Sequence, residues 1–248
     1  MSAAMILVAS SPILGCQTWP GEIPICHQYK SNRTIFVGKV LSIESVPRNV
    51  EGLTERAKGW VAQYNRVEFA VIEAFKTEGS ETVTMLALAK EVTSCDKVYP
   101  LKVGEKWLIF SNAQVNGEAE VSMAEPTGSS NRTEALRKIS HRPIVPSIHG
   151  QVMIARKDLK GVGLIAESSN RKYLATMDQY GQFKFDPVDP GTYRVRILFP
   201  FAGYVEVGRN KNLFTFDAEA GVHSFGFDAT VTDGDCLYRR FDGGIVEN

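Results

Sequence analysis

The sequence has no excess of charge of either sign. Its 28 lysines and arginines are matched by 28 aspartates and glutamates, so it lacks the basic balance of a general nucleic-acid or anionic-membrane binder. Nucleic acid is therefore not an expected partner. The apolar run at residues 5–14, MILVASSPIL, is too short to cross a bilayer as a helix. There is no G-x-S-x-G, no P-loop and no G-x-G-x-x-G opening a helix. His27, His141, His149 and His223 form no H-E-x-x-H or H-x-x-E pair, so no zinc-peptidase site can be assembled from local spacing. Cysteine is scarce: Cys16, Cys26, Cys95 and Cys236, with no C-x-x-C among them. No metal and no cofactor are expected on that spacing. These absences weigh against an enzyme, although catalytic groups can also converge from positions far apart in sequence.

What is present is ordinary globular material. With 44% hydrophobic and 23% charged residues, 248 residues can bury a real core in one or two domains. The most informative stretch is DQYGQFKFDPVDPGTYRVRI at 178–197. Phe183 and Phe185 alternate with Gln182 and Lys184. Tyr193, Val195 and Ile197 alternate with Thr192, Arg194 and Arg196. A period of two gives each strand one buried face. Gly181 stands where a turn needs positive φ, and Pro190-Gly191 fits the centre of a type II turn. Phe214 and Phe216, then Phe225, Phe227, Ala229 and Val231, continue the alternation.

The earlier part also reads as strands: IFVGKV at 35–40, with Gly38 marking a bulge or barrel bend, then Val67, Phe69 and Val71, Val83 and Met85, WLIF at 107–110, and Ala119, Val121 and Met123. Five short strands with glycine-containing turns predict a small barrel or sandwich. Residues 47–59 interrupt the pattern and read as a loop or short helix. NRTEALRKIS at 131–140 predicts a helix capped by Asn131, with Glu134 three residues on and a stripe of Ala135, Leu136 and Ile139. Two prolines in the segment that follows mark it as a linker.

Family resemblances sharpen this reading. His149-Gly-Gln-Val, Lys160-Gly-Val, Asp178-x-x-Gly-x-Phe-x-Phe and Asp189-Pro-Gly-Thr-Tyr resemble the carboxypeptidase regulatory-like, or transthyretin-like, β-sandwich of exported bacterial proteins. Such domains are usually non-catalytic spacers or binding modules. Cys16 and Cys26, then IFVGKV, VEFAVIEAFK, Ser94-Cys95 and VGEKWLIF, resemble the netrin-like fold of the tissue inhibitors of metalloproteinases. The resemblances imply an all-β chain: a five-stranded OB-like barrel with a C-terminal helix, then an Ig- or transthyretin-like β-sandwich. The implied divisions are a residual signal segment at 1–15, the netrin-like domain at 16–140, a linker at 141–147, the sandwich at 148–241 and a tail at 242–248. Phe241-Asp-Gly-Gly-Ile-Val resembles the opening of a further repeat.

Residues 5–14 resemble the hydrophobic part of a secretion signal, although no Lys or Arg precedes them. A first β-strand or frayed tail is the plainer alternative. Ile13-Leu14-Gly15-Cys16 resembles a lipobox, which would place a lipid anchor at Cys16. The expected location is extracytoplasmic: secreted, periplasmic or cell-surface. Four cysteines allow three pairings. The netrin-like resemblance implies Cys16–Cys95, leaving Cys26 and Cys236 as an inter-domain bridge or as separate thiols. Asp228, Asp233 and Asp235 could hold Ca²⁺ through oxygen ligands, with a solvated acidic turn as the plainer reading. The functional expectation is a non-enzymatic exported binding or scaffold protein that takes a protein or polysaccharide ligand. Its candidate interface is Cys16, Gln17, Thr18 and Trp19, with Trp19 either an anchor or a plug for the barrel end. Alternatives are a metalloprotease inhibitor acting on an extracellular protease through that segment, and an accessory region of a larger enzyme. The inhibitor family begins Cys-x-Cys, whereas Gln17, Thr18 and Trp19 follow Cys16 here, which weakens transfer of its zinc-binding wedge.

Overall fold

Ile35, Phe36 and Val37 are all buried, as are Trp107, Leu108, Ile109 and Phe110. A strand with one wet face would alternate, so these two strands must be covered on both sides. The computed structural model shows how; it describes residues 22–49, 61–77, 79–90, 97–115, 117–154, 158–200, 203–207, 212–215, 217–219 and 222–245. Among the described residues the chain is all-β apart from two short helices. In the first part, β1 (Thr34–Asn49), β2 (Val61–Lys76), β3 (Thr82–Leu88), β4 (Lys106–Ser111), β5 (Ala113–Val115), β6 (Glu118–Glu120) and β7 (Met123–Pro126) form one sheet in the order β5-β6-β3-β2-β1-β4-β7. It curls into a half-barrel.

One face of this sheet buries Phe36, Val40, Val67, Phe69, Met85, Trp107 and Ile109. The opposite face buries Ile35, Val37, Phe75, Leu108 and Phe110, and two helices cover it. These are α1 (Ile25–Ser31), which contributes Ile25 and Tyr29, and α2 (Arg132–Ser140), which contributes the fully buried Leu136. Each fully buried side chain of this size contributes about 1.5–3 kcal/mol through removal of apolar area from water. Arg137 clamps α2 to β2 by donating two hydrogen bonds to the Glu73 carboxylate, each 2.7 Å. That contact holds Glu73 below the usual carboxylate range. Asn131 sits at the N-cap as expected but makes no side-chain capping bond; the Arg132 amide bonds instead to Ser130 Oγ at 3.2 Å.

The second part is a sandwich. One sheet orders β10 (Lys172–Thr176), β9 (Gly163–Glu167), β12 (Gly191–Phe199), β16 (Val222–Val231) and β15 (Asp217–Glu219). The other orders β11 (Gln182–Phe185), β8 (Ser147–Ile154), β17 (Cys236–Ile245), β13 (Gly203–Val207) and β14 (Asn212–Thr215), with β8 and β17 parallel. Ile148, Val152, Phe183 and Phe185 meet Leu164, Tyr193, Val195, Ile197 and Phe225 in a single core between them. The period-two reading of 182–197 therefore holds residue by residue. Tyr193 fastens the start of its strand by donating to the Asp189 carbonyl at 2.7 Å.

Gly181 has φ +68, and a Cβ there would lie 2.0 Å from the Val152 carbonyl oxygen; both the sign of φ and the space demand glycine. Asp178 completes this turn, its Oδ1 accepting from the amides of Tyr180 and Gln182, each at 2.8 Å.

Several sequence expectations need correction. Gly191 has φ +159, more extended than the value of about +80 that a type II turn sets at its second central residue, and it is the first residue of β12, paired with Val231. Residues 47–49 belong to β1, not to an interruption: Pro47 pairs with Gln63 where, among the described residues, β1 has no second neighbour. Such a strand edge tolerates a missing amide. The expected fifth strand of the barrel is divided into β6 and β7, with Val121 between them. The sandwich runs past 241, since β17 continues to Ile245 against β13; residues 242–245 are its end and not a tail. Within the region that reads as β-rich the structure also places α1, for which the sequence carries no clear local signal.

Candidate functional site

The outward face of β8 and β17 is built by alternation. Ile148 and Leu237 turn into the sandwich core, so Ser147, His149, Cys236 and Tyr238 turn the other way. On the neighbouring β11, Phe183 and Phe185 turn inward and Gln182 and Lys184 outward. Gly150 makes this possible, since a Cβ there would lie 2.3 Å from the Phe183 ring.

Opposite this face stand the entry to α1, the end of α2 and the connection between α2 and β8. Between them lies a crevice of about 660 Å³. Pro24, Ile25, Ile139, Pro143 and Ile144 give it apolar walls. Its charged groups are of both signs: Glu22, Asp178 and Asp186 against Lys138, Arg142 and Lys184. A cleft of this size with apolar walls and a few convergent polar groups is the usual form of a ligand site.

Covalent and polar contacts hold the walls together. Cys26 of α1 and Cys236 of β17 are joined by a disulfide. Lys30 Nζ lies 2.5 Å from Asp235 Oδ1 and donates to the Gly234 carbonyl at 2.9 Å. Gln182 Nε2 donates to the Glu22 carbonyl at 2.8 Å. Lys30 is the first cause of the low pKa of Asp235, about 2, with Thr232 hydrogen bonds adding to it. The connection itself is tied into the sandwich, Ser147 N donating to the Asp235 carbonyl at 3.0 Å and Val188 N to that of Pro146 at 2.9 Å.

Two imidazoles stand at the joint. His149 Nε2 is 3.0 Å from Ser147 Oγ and 4.0 Å from Cys26 Sγ. Burial lowers its pKa, Lys184 and His27 add to the effect, and Asp186 opposes it. His27 packs at a tilt on Tyr238, with ring centres 5.4 Å apart. Burial lowers its pKa too, against a hydrogen bond to the Cys236 backbone. Both rings thus favour the neutral form at neutral pH.

The candidate interface residues Cys16, Gln17, Thr18 and Trp19, and also Cys95 with its proposed bond to Cys16, lie outside the described residues. Of the two arrangements left open for Cys26 and Cys236, the structure has the bridge. Two of the three C-terminal aspartates are engaged by different partners: Asp228 pairs with Arg194 at 3.2 Å, whereas Asp235 is engaged by Lys30 and Thr232. Sequence spacing missed the cluster of Cys26, His149 and Cys236, whose ligand atoms all lie within 4.8 Å of one another. Its members come from three elements remote in sequence. Among the described residues no helix is long and apolar enough to cross a membrane. No model of a known protein family matches this chain, and a search of curated proteins finds no match to it.

Proposed function

We propose that this is an exported, non-enzymatic binding or scaffold protein, built from a netrin-like barrel and a regulatory-like sandwich, and that it receives its ligand in the crevice between them. The observation that carries this reading is the covalent closure of the crevice. Cys26–Cys236 joins the element on one wall to a strand of the other. Binding to a site whose walls are already fixed loses less conformational entropy, which is how preorganisation raises affinity. A structural disulfide also fits an oxidising compartment, as an exported protein would meet. Apolar walls with lysine and arginine cations beside carboxylate anions suit a segment of another protein, or a polysaccharide whose apolar ring faces lie on Pro143 and Ile144. The protease-inhibitor reading rests on Cys16, Gln17, Thr18 and Trp19, which lie outside the described residues.

The test is a screen of peptide and glycan arrays with the wild-type chain, repeated with Lys184→Glu and with Val145→Trp at the exposed rim. A ligand should bind the wild type, bind each variant about tenfold more weakly or worse, and be recovered intact. Binding indifferent to both substitutions would move the site off the crevice. Chemical alteration of the ligand by wild type, lost on one side-chain change, would overturn the non-enzyme reading.

A further inference from the structure

The disulfide at the joint has a companion it does not need. A bridge requires two sulfurs, yet His149 places Nε2 4.0 Å from Cys26 Sγ, and the three ligand atoms of Cys26, His149 and Cys236 all lie within 4.8 Å of one another. We propose that when the Cys26–Cys236 bond is reduced, these three side chains bind one zinc ion, so that α1 is fastened to the sandwich by metal instead of by sulfur.

The geometry is close to what the ion requires. Tetrahedral zinc holds sulfur at about 2.3 Å and nitrogen at about 2.0–2.1 Å, which sets neighbouring ligand atoms about 3.3–3.8 Å apart. The nitrogen-to-sulfur distance of 4.0 Å needs only a small closure. The sulfurs must separate from bonding distance to van der Waals distance, which rotation about their side-chain bonds can supply.

The three ligands also come from three separately anchored elements. β8 and β17 are neighbours in a continuous parallel ladder, with His149 paired to Tyr238 and Ser147 to Cys236. The short helix α1 is held independently by Lys30 on Asp235 and by Lys76 Nζ on the Tyr29 carbonyl at 3.0 Å. Reduction of the bridge therefore leaves the ligands near one another. Cys26, Ser147 and His149 border the crevice, so the fourth coordination place opens there, to water or to a donor from a bound ligand.

The steps balance. A dithiol reductant gives two electrons and two protons to the bridge, yielding two thiols and its own disulfide. Zinc then takes both sulfurs as thiolates and two protons leave to solvent. The nitrogen ligand is neutral imidazole, with Ser147 Oγ, now 3.0 Å from Nε2, giving way to the metal. One joint would thus be closed in an oxidising compartment by the bridge and in a reducing one by zinc. This is independent of what the crevice binds in the oxidised protein.

The experiment is metal titration of the full chain, oxidised and after anaerobic reduction with a phosphine, using zinc and, as a spectroscopic stand-in, cobalt(II). The reduced wild type should bind one zinc and show a thiolate-to-cobalt charge-transfer band; the oxidised protein should bind none at this site. Cys236→Ser should abolish the band, and His149→Ala should weaken zinc by about tenfold or more, since even partners behind the ligands carry that much. His149→Gln, which keeps a polar group beside Ser147, and far-UV circular dichroism of every variant separate loss of a ligand from loss of the fold. No zinc bound by the reduced, folded wild type would overturn the proposal. So would equal affinity in the folded His149 variants, which would point to the other two cysteines as the holders.

Discussion

Removing the bridge by Cys26→Ala with Cys236→Ala should produce the largest stability loss of any exchange that leaves the core packing in place. The two residues are 210 apart in sequence. On the chain-entropy relation, freeing a loop of that span returns about 5 kcal/mol of entropy to the unfolded ensemble at 25 °C. If the sandwich unfolds while the half-barrel persists, the freed loop is only the stretch from α2 to Cys236. The logarithm then trims the figure by less than about 1 kcal/mol. The folded state loses little in return, because Lys30–Asp235 and Gln182–Glu22 still hold the two walls.

Guanidinium unfolding under non-reducing conditions, followed by tryptophan fluorescence and circular dichroism, measures the effect. With a slope of about 4 kcal/mol per molar, the midpoint should fall by roughly 1 M. The slope should rise slightly, since the uncrosslinked chain exposes more surface. A midpoint within about 0.2 M of wild type, at unchanged slope, would refute the argument that the bridge acts on the unfolded chain.

Gly181→Ala should destabilise the sandwich by at least about 2 kcal/mol, because it combines positive φ with a carbonyl contact that cannot yield; a thermal midpoint equal to wild type would contradict this. Leu136→Ala should cost about 2–5 kcal/mol by opening a hole under α2 on the helix-covered face of the half-barrel, and denaturant melts of the full chain will read it. Asp235 has a folded pKa of about 2 against an ordinary 3.8, so its contribution is complete above the ordinary value and fades as pH falls toward 2. Asp235→Asn should therefore be less stable than wild type at pH 6, with the gap closing by pH 2. A gap that is constant with pH would exclude the ion pair as its source.

The strands of the sandwich could be read directly because they have one buried face, and alternation then reports burial. Phe183, Phe185, Tyr193, Val195 and Ile197 all fall as that rule requires. In β1 and β4 the rule gives dense apolar runs without alternation, since α1 and α2 cover the second face. The runs were visible in the sequence; their cover was not. α1 is a seven-residue helix that follows Pro24 without a side-chain cap, and its stability comes from Ile25 and Tyr29 packing on β-strands far along the chain. Local signals fail for such a segment because tertiary contacts supply what propensity does not. The crevice was invisible for a related reason. Its walls come from residues 22–26, 138–150, 176–186 and 238, and no spacing rule joins them. At Pro190-Gly191 the local signal placed the chain reversal correctly but not its geometry, since Gly191 has φ +159 and already opens β12 opposite Val231.

The parallel pairing of β8 with β17 also has a mechanical consequence. Cys236 lies beside Ser147 and Gly243 beside Ile154, so the strand that begins the sandwich and the strand that ends it point the same way. Tension drawn between the near end of β8 and the far end of β17 runs along both strands. It loads all the rungs of their ladder together, in shear, where an antiparallel terminal pair pulled from adjacent ends would open one rung at a time. Load entering through β8 alone would meet this ladder as a clamp, whereas load entering through α1 passes by way of Cys26–Cys236 straight to the near end of β17 and bypasses it.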